Sequence, residues 1–206
     1  FGPYRADRLA ASCDVRPARD VPNCARTSSI SADATLRALS VLADKKSDQI
    51  SDFLHERAID AQILAQSRRA RALMTELVRA SPDRGALDER VEDLFTIVAH
   101  RTYHDLMLID ASGRVRTSHA RESDVGVDLG SPDWRDTELA RGFRAAMALL
   151  DTQVTEIRPY EPSGNHPAMF IVTPVVVDGR ALGAVALQLD AAPLLAVIGD
   201  PTGVGA

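Results

Sequence analysis

The sequence predicts an α+β fold: a long N-terminal helix packed on an antiparallel five-stranded sheet. Three observations carry this prediction. Apolar residues recur mostly at three- and four-residue steps from Leu36 to Leu64, with no Pro or Gly until Pro82. Strand-like runs flank one later helix instead of alternating regularly with helices, which disfavours a doubly wound parallel sheet. Asp178-Gly179 joins two of those runs with the strongest two-residue hairpin signal.

The elements follow in order. Residues 1–30 form a Pro- and Arg-rich arm with no periodic apolar pattern. A helix is expected to begin near Ser31, with Ser29 and Ser31 as capping hydroxyls and Asp33 in the first turn, where the helix dipole favours negative charge. Continued to about Ala80, it makes a rod of roughly 70 Å at ~1.5 Å per residue. Phe53, Leu54, Ala58 and Ala61 are its expected sheet-facing residues. Asp48, Asp52 and Glu56 read as a solvated face. The break at 82–85 leads to a second amphipathic helix marked by Leu87, Val91, Leu94, Phe95 and Val98, so 31–98 is a helical region. Residues 99–199 carry the sheet: a strand over 104–110, a turn at Gly113, a strand over 115–120, and a helix marked by Leu139, Phe143, Met147 and Leu150. Strands over 154–160, 169–177 and 182–189 complete it. Residues 200–206 read as a linker toward a further segment.

Composition narrows the function. Hydrophobic residues make up 45% and charged residues 26%, the balance of a folded domain and not of a disordered tail. A net charge of -5 gives no support for nucleic acid or for a cationic membrane-binding surface. The most apolar stretch, 181–198, is interrupted by Gln188, Asp190 and Pro193 and is no membrane span. Any membrane attachment is expected from segments outside the chain, which begins at Phe1.

Cys13 and Cys24 are the only cysteines, without a Cys-x-x-Cys unit or a nearby His. A pair in an irregular segment suits a disulfide better than a metal or redox site; two unpaired thiols are the alternative. His100 and His104 have helical spacing, but no Glu completes a zinc motif, and no metal site or cofactor is expected. The sequence also lacks a Gly-x-Ser-x-Gly elbow, a phosphate loop and a candidate catalytic cysteine, so an enzyme is not expected. The strand over 154–160 places Val154, Glu156, Arg158 and Tyr160 on one face, with Thr155 and Ile157 on the other. That polar face either lines a cavity or is solvated.

Two blocks resemble the double Cache family, PAS-like extracytoplasmic sensor domains of chemoreceptors, sensor histidine kinases and nucleotide cyclases. ALSVLADKKSDQISDFLHERAIDAQILAQS is similar to the family's long N-terminal helix. DWRDTELARGFRAAM, with EIRPYEPSGNHPAMFIVTPVVVDGRALGAVALQLD, is similar to its membrane-distal lobe. Together they cover about 38–190, and the closing GDPTGVGA is similar to the passage into the membrane-proximal lobe. The resemblance implies a PAS-like sheet, an extracytoplasmic location and a bacterial transmembrane receptor that binds a small metabolite and transmits through the long helix. A ligand-free structural or dimerisation module of the same fold is the alternative. The helix's remaining apolar edge offers a seam for a homodimer.

The resemblance also implies a site. Trp134 and Tyr160 match aromatic pocket positions and are expected on opposite walls, with Arg158 and Gln188 as polar contacts and Phe170 and Asp136 completing the set. Members that bind amino acids use one arginine and two aspartates as a charge clamp. Ser131, Pro162 and Gln188 stand at those positions here, so free α-amino acids are poor candidates. A neutral or anionic metabolite, its carboxylate held by a guanidinium fork, suits the residues better.

Overall fold

A computed structural model describes residues 23–79, 84–98 and 103–199. The long helix, α1, spans Asn23–Gln66 and begins earlier than Ser31, directly after the helix breaker Pro22. Its 44 residues extend about 66 Å. It does not continue to Ala80. At Ser67 the chain breaks and a separate helix, α2, runs over Arg68–Arg79. The cause is local: the Ser67 hydroxyl accepts a hydrogen bond from Ala70 N at 3.1 Å and so caps the new helix. A third helix, α3, spans Arg84–Thr96. Cys13 and residues 200–206 fall outside the described residues, as does the side chain of Cys24, and with them the expected disulfide and linker.

The sheet holds six strands: β1 (Tyr103–Asp110), β2 (Val115–Ser118), β3 (Gln153–Val154), β4 (Arg158–Tyr160), β5 (His166–Val177) and β6 (Arg180–Asp190). The order is β2-β1-β6-β5-β3, with β4 also on β5, and every pairing is antiparallel. Asp178 and Gly179 both take positive φ, 50° and 76°, which the tight β5–β6 turn requires. Five strands become six because the run expected over 154–160 is split. From Val154 to Arg158 the chain advances four residues while its partner advances three, from Ile171 to Ala168. Thr155 fills the gap, its hydroxyl accepting from Phe170 N at 2.9 Å. The slip breaks the strict alternation expected for this strand.

The two faces of the sheet bury different layers. Leu106, Leu108, Met169, Ile171, Val185 and Leu187 pack with α1, α2 and α3. Met107, Ile109, Phe170, Val172, Ala184 and Ala186 pack on the opposite side with a fourth helix, α4, over Glu138–Leu149. Thr137 caps α4 through its hydroxyl. The α1 contact is centred about two turns later than expected: Ala61, Leu64 and Ala65 are fully buried, whereas Phe53, Leu54 and Ala58 are half-buried. Phe53 and Leu54 pack at the margin of this core, and the helix there is also held by buried Arg57. Its guanidinium lies 5.2 Å from the Phe53 ring and its Nε 3.4 Å from Asp60, which accepts the Tyr103 hydroxyl at 2.9 Å. A short helix not foreseen in the sequence, α5 (Ala192–Gly199), follows β6; the Asp190 carboxylate accepts from Ala192 N at its start.

Candidate functional site

On the α4 side of the sheet, a groove of about 580 Å³ opens between the loop before α4 and the β4 strand. Its position follows from local structure. The 3-10 turn at Glu161–Ser163 and the left-handed Gly164 and Asn165 reverse the chain between β4 and β5, placing Tyr160 directly over Phe170. Trp134 lies in the turn that leads into the Thr137 cap, and the Thr137 hydroxyl donates to its carbonyl at 2.7 Å.

Five of the six candidate ligand residues come together here: Trp134, Asp136, Arg158, Tyr160 and Phe170 line the groove, with Thr137, Glu138, Arg141 and Asn165. The Tyr160 ring meets Phe170 edge-to-face at 4.9 Å and Trp134 at 6.5 Å. Trp134 and Tyr160 are therefore adjoining walls, not opposite ones. Phe170 and Tyr160 are buried, Trp134 is half-buried, and Asp136 and Arg158 are exposed on the rim. Arg158 pairs with Glu156 at 2.7 Å and Arg141 with Glu138 at 2.8 Å. The Arg158–Glu156 pair is solvated and weak, so that guanidinium can turn to a ligand at a cost of about 0–1 kcal/mol, whereas the Glu138 side chain of the Arg141 pair is only 9% exposed.

Gln188 is not among the groove-lining residues. Register puts it directly between Phe170 on β5 and Asp105 on β1, all on the α4 face, but its amide is engaged by the turn after β4. There it donates to Ser163 Oγ at 2.8 Å, and Ser163 in turn donates to Glu122 at 2.7 Å.

This interior layer escaped the sequence reading. Tyr160 donates its hydroxyl to Asp124 at 2.7 Å, in a fully buried position. Asp105 is also fully buried and accepts from Ser118 Oγ, Leu106 N and Ala120 N. Burial pushes the Asp105 carboxyl up to about 6, against those hydrogen bonds, and the Asp124 charge adds to the rise. Burial raises Asp124 as well, opposed by the Tyr160 bond and helped by Glu122. The Tyr160 hydroxyl is raised by burial and by Asp124, and stays a donor. Two signals were present in the sequence: Asp105 is an acid set within an apolar run, and Glu122 and Asp124 stand two apart in a loop. His104 sits in β1 with Nε2 2.9 Å from Glu122, while His100 lies outside the described residues.

No protein-family model matches the chain, and no curated protein is found similar to it. Solved structures do match. The sensor domain of the Vibrio cholerae histidine kinase DctB superposes with a TM-score of 0.61 at 15% identity, over 82% of this chain and 60% of that one. The ligand-binding domain of the Pseudomonas fluorescens chemoreceptor CtaA, in complex with L-serine, gives 0.55 at 18% identity, over 81% and 63%. That of the Pseudomonas aeruginosa chemoreceptor PctC, in complex with GABA, gives 0.54 at 19%, over 77% and 63%. The chain thus spans about three fifths of the length of these domains. The chain has the fold of these domains, the PAS-like Cache fold, with its long helix and antiparallel sheet. Among the described residues, no helix is long and apolar enough to cross a membrane.

Proposed function

We propose that this chain is the ligand-sensing lobe of a bacterial transmembrane signalling receptor, lying outside the cytoplasm and taking a small organic metabolite in the Trp134–Tyr160 groove. The observation that carries this reading is the groove itself. Its volume of about 580 Å³ falls within the range of small-molecule sites, about 300–1,000 Å³, and aromatic walls meet a few polar groups at one place. The likeness in fold to sensor domains of a kinase and of chemoreceptors agrees with a sensing role.

Ligand class follows from the polar groups. By resemblance, Ser131, Pro162 and Gln188 stand where amino-acid-binding members carry their charge clamp, which disfavours free α-amino acids. A neutral molecule, or one with a single carboxylate taken by Arg158 or Arg141, fits a rim that also holds Asp133, Asp136, Glu138 and Glu161. A polyanion does not.

Transmission has a short route. Phe170 faces the groove, while its neighbours on β5, Met169 and Ile171, face the helical layer. A ligand that shifts β5 therefore acts on α1 through packed side chains. The first part of α1 exposes Leu36 and Leu39, an i,i+3 apolar pair on one edge that suits pairing with a second copy in the receptor.

The test is a metabolite panel read by melting temperature and by Trp134 emission, Trp134 being the only tryptophan. At least one neutral or monocarboxylate compound should raise the melting temperature and perturb the emission, with amino acids inactive. Trp134→Ala and Tyr160→Ala should each remove the thermal shift. A ligand that binds both variants as well as the parent places the site elsewhere; a panel without any ligand favours a structural module.

A further inference from the structure

Beneath the groove, one oxygen each from Asp105, Glu122 and Asp124 lie within 4.8 Å of one another. Three carboxylates at that distance repel, and two of them are fully buried. The bonds to Asp105 and Asp124 come from neutral donors: Leu106 N, Ala120 N, Ser118 Oγ and the Tyr160 hydroxyl.

A second observation comes from outside the acidic cluster. Gln188 is 2% exposed, and its Oε1 has no hydrogen-bond partner. Its orientation is fixed. Ser163 already gives its proton to Glu122, so only the amide nitrogen of Gln188 can face Ser163 Oγ. With Asp105 beside it on β1 and the Ser163–Glu122 bond at its nitrogen, the amide lies between two of the three carboxylates, and its buried oxygen meets no donor there. Asp124 Oδ1 is likewise buried without a partner. Two buried acceptors that meet no donor ask for a cation.

We propose that Asp105, Glu122 and Asp124, with the amide oxygen of Gln188, form a buried site for a hard divalent cation of the calcium or magnesium class. All four groups offer oxygen, the donor such ions take. Ligands about 2.4 Å from a calcium ion lie up to about 4.8 Å apart across it, a span that the three carboxylate oxygens do not exceed. The ion satisfies both unpartnered oxygens and offsets the charge that burial resists in Asp105 and Asp124. Because Tyr160 bonds Asp124 directly, a filled site also braces the groove wall from behind. No metal site was expected from the sequence, where only His100 and His104 were weighed as ligands; Asp105, Glu122 and Asp124 come together through the fold.

The experiment strips the whole chain with EDTA and follows its melting temperature as CaCl₂ or MgCl₂ is returned, with KCl of matched ionic strength as control. One of the two ions should raise it by about 5–10 °C at roughly a hundredfold excess over its dissociation constant. The arm that does so identifies the ion. Asp124→Asn should lose that rise while melting, metal-free, no lower than the stripped parent. Tb³⁺ added to the parent protein should luminesce on excitation of Tyr160 and Trp134 and be displaced by the same ion, a readout that needs no variant. Failure of both ions to shift the stripped protein, absence of sensitised Tb³⁺ emission, or an undiminished shift in a folded Asp124→Asn overturns the proposal. None of these measurements uses a groove ligand, so their failure leaves the sensing function standing.

Discussion

Replacing Tyr160 with Phe removes one oxygen and leaves the ring, which separates the groove wall from the layer beneath it. The hydroxyl donates to Asp124 at 2.7 Å, and Asp124 is fully buried. A hydrogen bond to a charged group is worth about 1.5–3 kcal/mol, and its loss leaves a second oxygen of Asp124 without a donor. Burial already raises the Asp124 carboxyl, so proton uptake limits the penalty. We expect a loss of about 2 kcal/mol, or about 4–8 °C in melting temperature for a chain of this size. The assay is urea unfolding in EDTA, with the stability change taken from the midpoint at constant slope. The ring contacts to Phe170 and Trp134 remain, so Tyr160→Phe keeps the groove's shape and its ligand, unlike Tyr160→Ala. A loss below about 0.5 kcal/mol would show that the hydroxyl reaches water and that the buried layer is wrongly drawn.

Leu64→Ala should cost about 2–5 kcal/mol, because Leu64 is fully buried under the sheet, while half-buried Phe53→Ala should cost only about 1–2 kcal/mol; urea midpoints that reverse this order would displace the helix contact toward Phe53. Gly142→Ala sets a gain of about 1 kcal/mol in helix propensity against a methyl placed 2.7 Å from Thr155 Cγ2 and 3.1 Å from Val172 Cγ2. Thr155 is held by its bond to Phe170 N, so overpacking wins, and calorimetry should show a net loss of about 1 kcal/mol. At the β1–β2 turn, burial acts to raise the Asp110 carboxyl, but hydrogen bonds from Ser112, Arg116 and Arg114 outweigh it and hold it below its usual value. Its stabilisation is therefore present above about pH 4 and lost as pH falls through the lowered folded value; Asp110→Asn should flatten that acid limb of the stability curve.

The sheet was legible because alternation and turn chemistry are local. Asp178-Gly179 fixed one hairpin, and the apolar runs of β1, β5 and β6 alternate cleanly between the two layers. The helix ends were less so. No Gly or Pro marks the break at Ser67, where a single hydroxyl diverts the chain. The strand over 154–160 misled because Thr155 inserts its side chain into the ladder, a substitution that no period of two reveals. Within the site, Trp134, Tyr160 and Phe170 were found through resemblance and drawn together by the fold. Gln188 was found on the right face, but its direction depends on Ser163, which is far away in sequence. The acidic layer was missed because Asp105 and Asp124 meet only through the β1 register and the following loop.

The claim that this domain senses a small molecule is tested most directly by a crystal structure with a compound that raises the melting temperature. Ligand density is expected in the groove, in contact with Trp134 and Tyr160 and with a guanidinium of Arg158 or Arg141 at its polar end. Density in another cavity, with the groove's side chains unchanged from the ligand-free form, would contradict it.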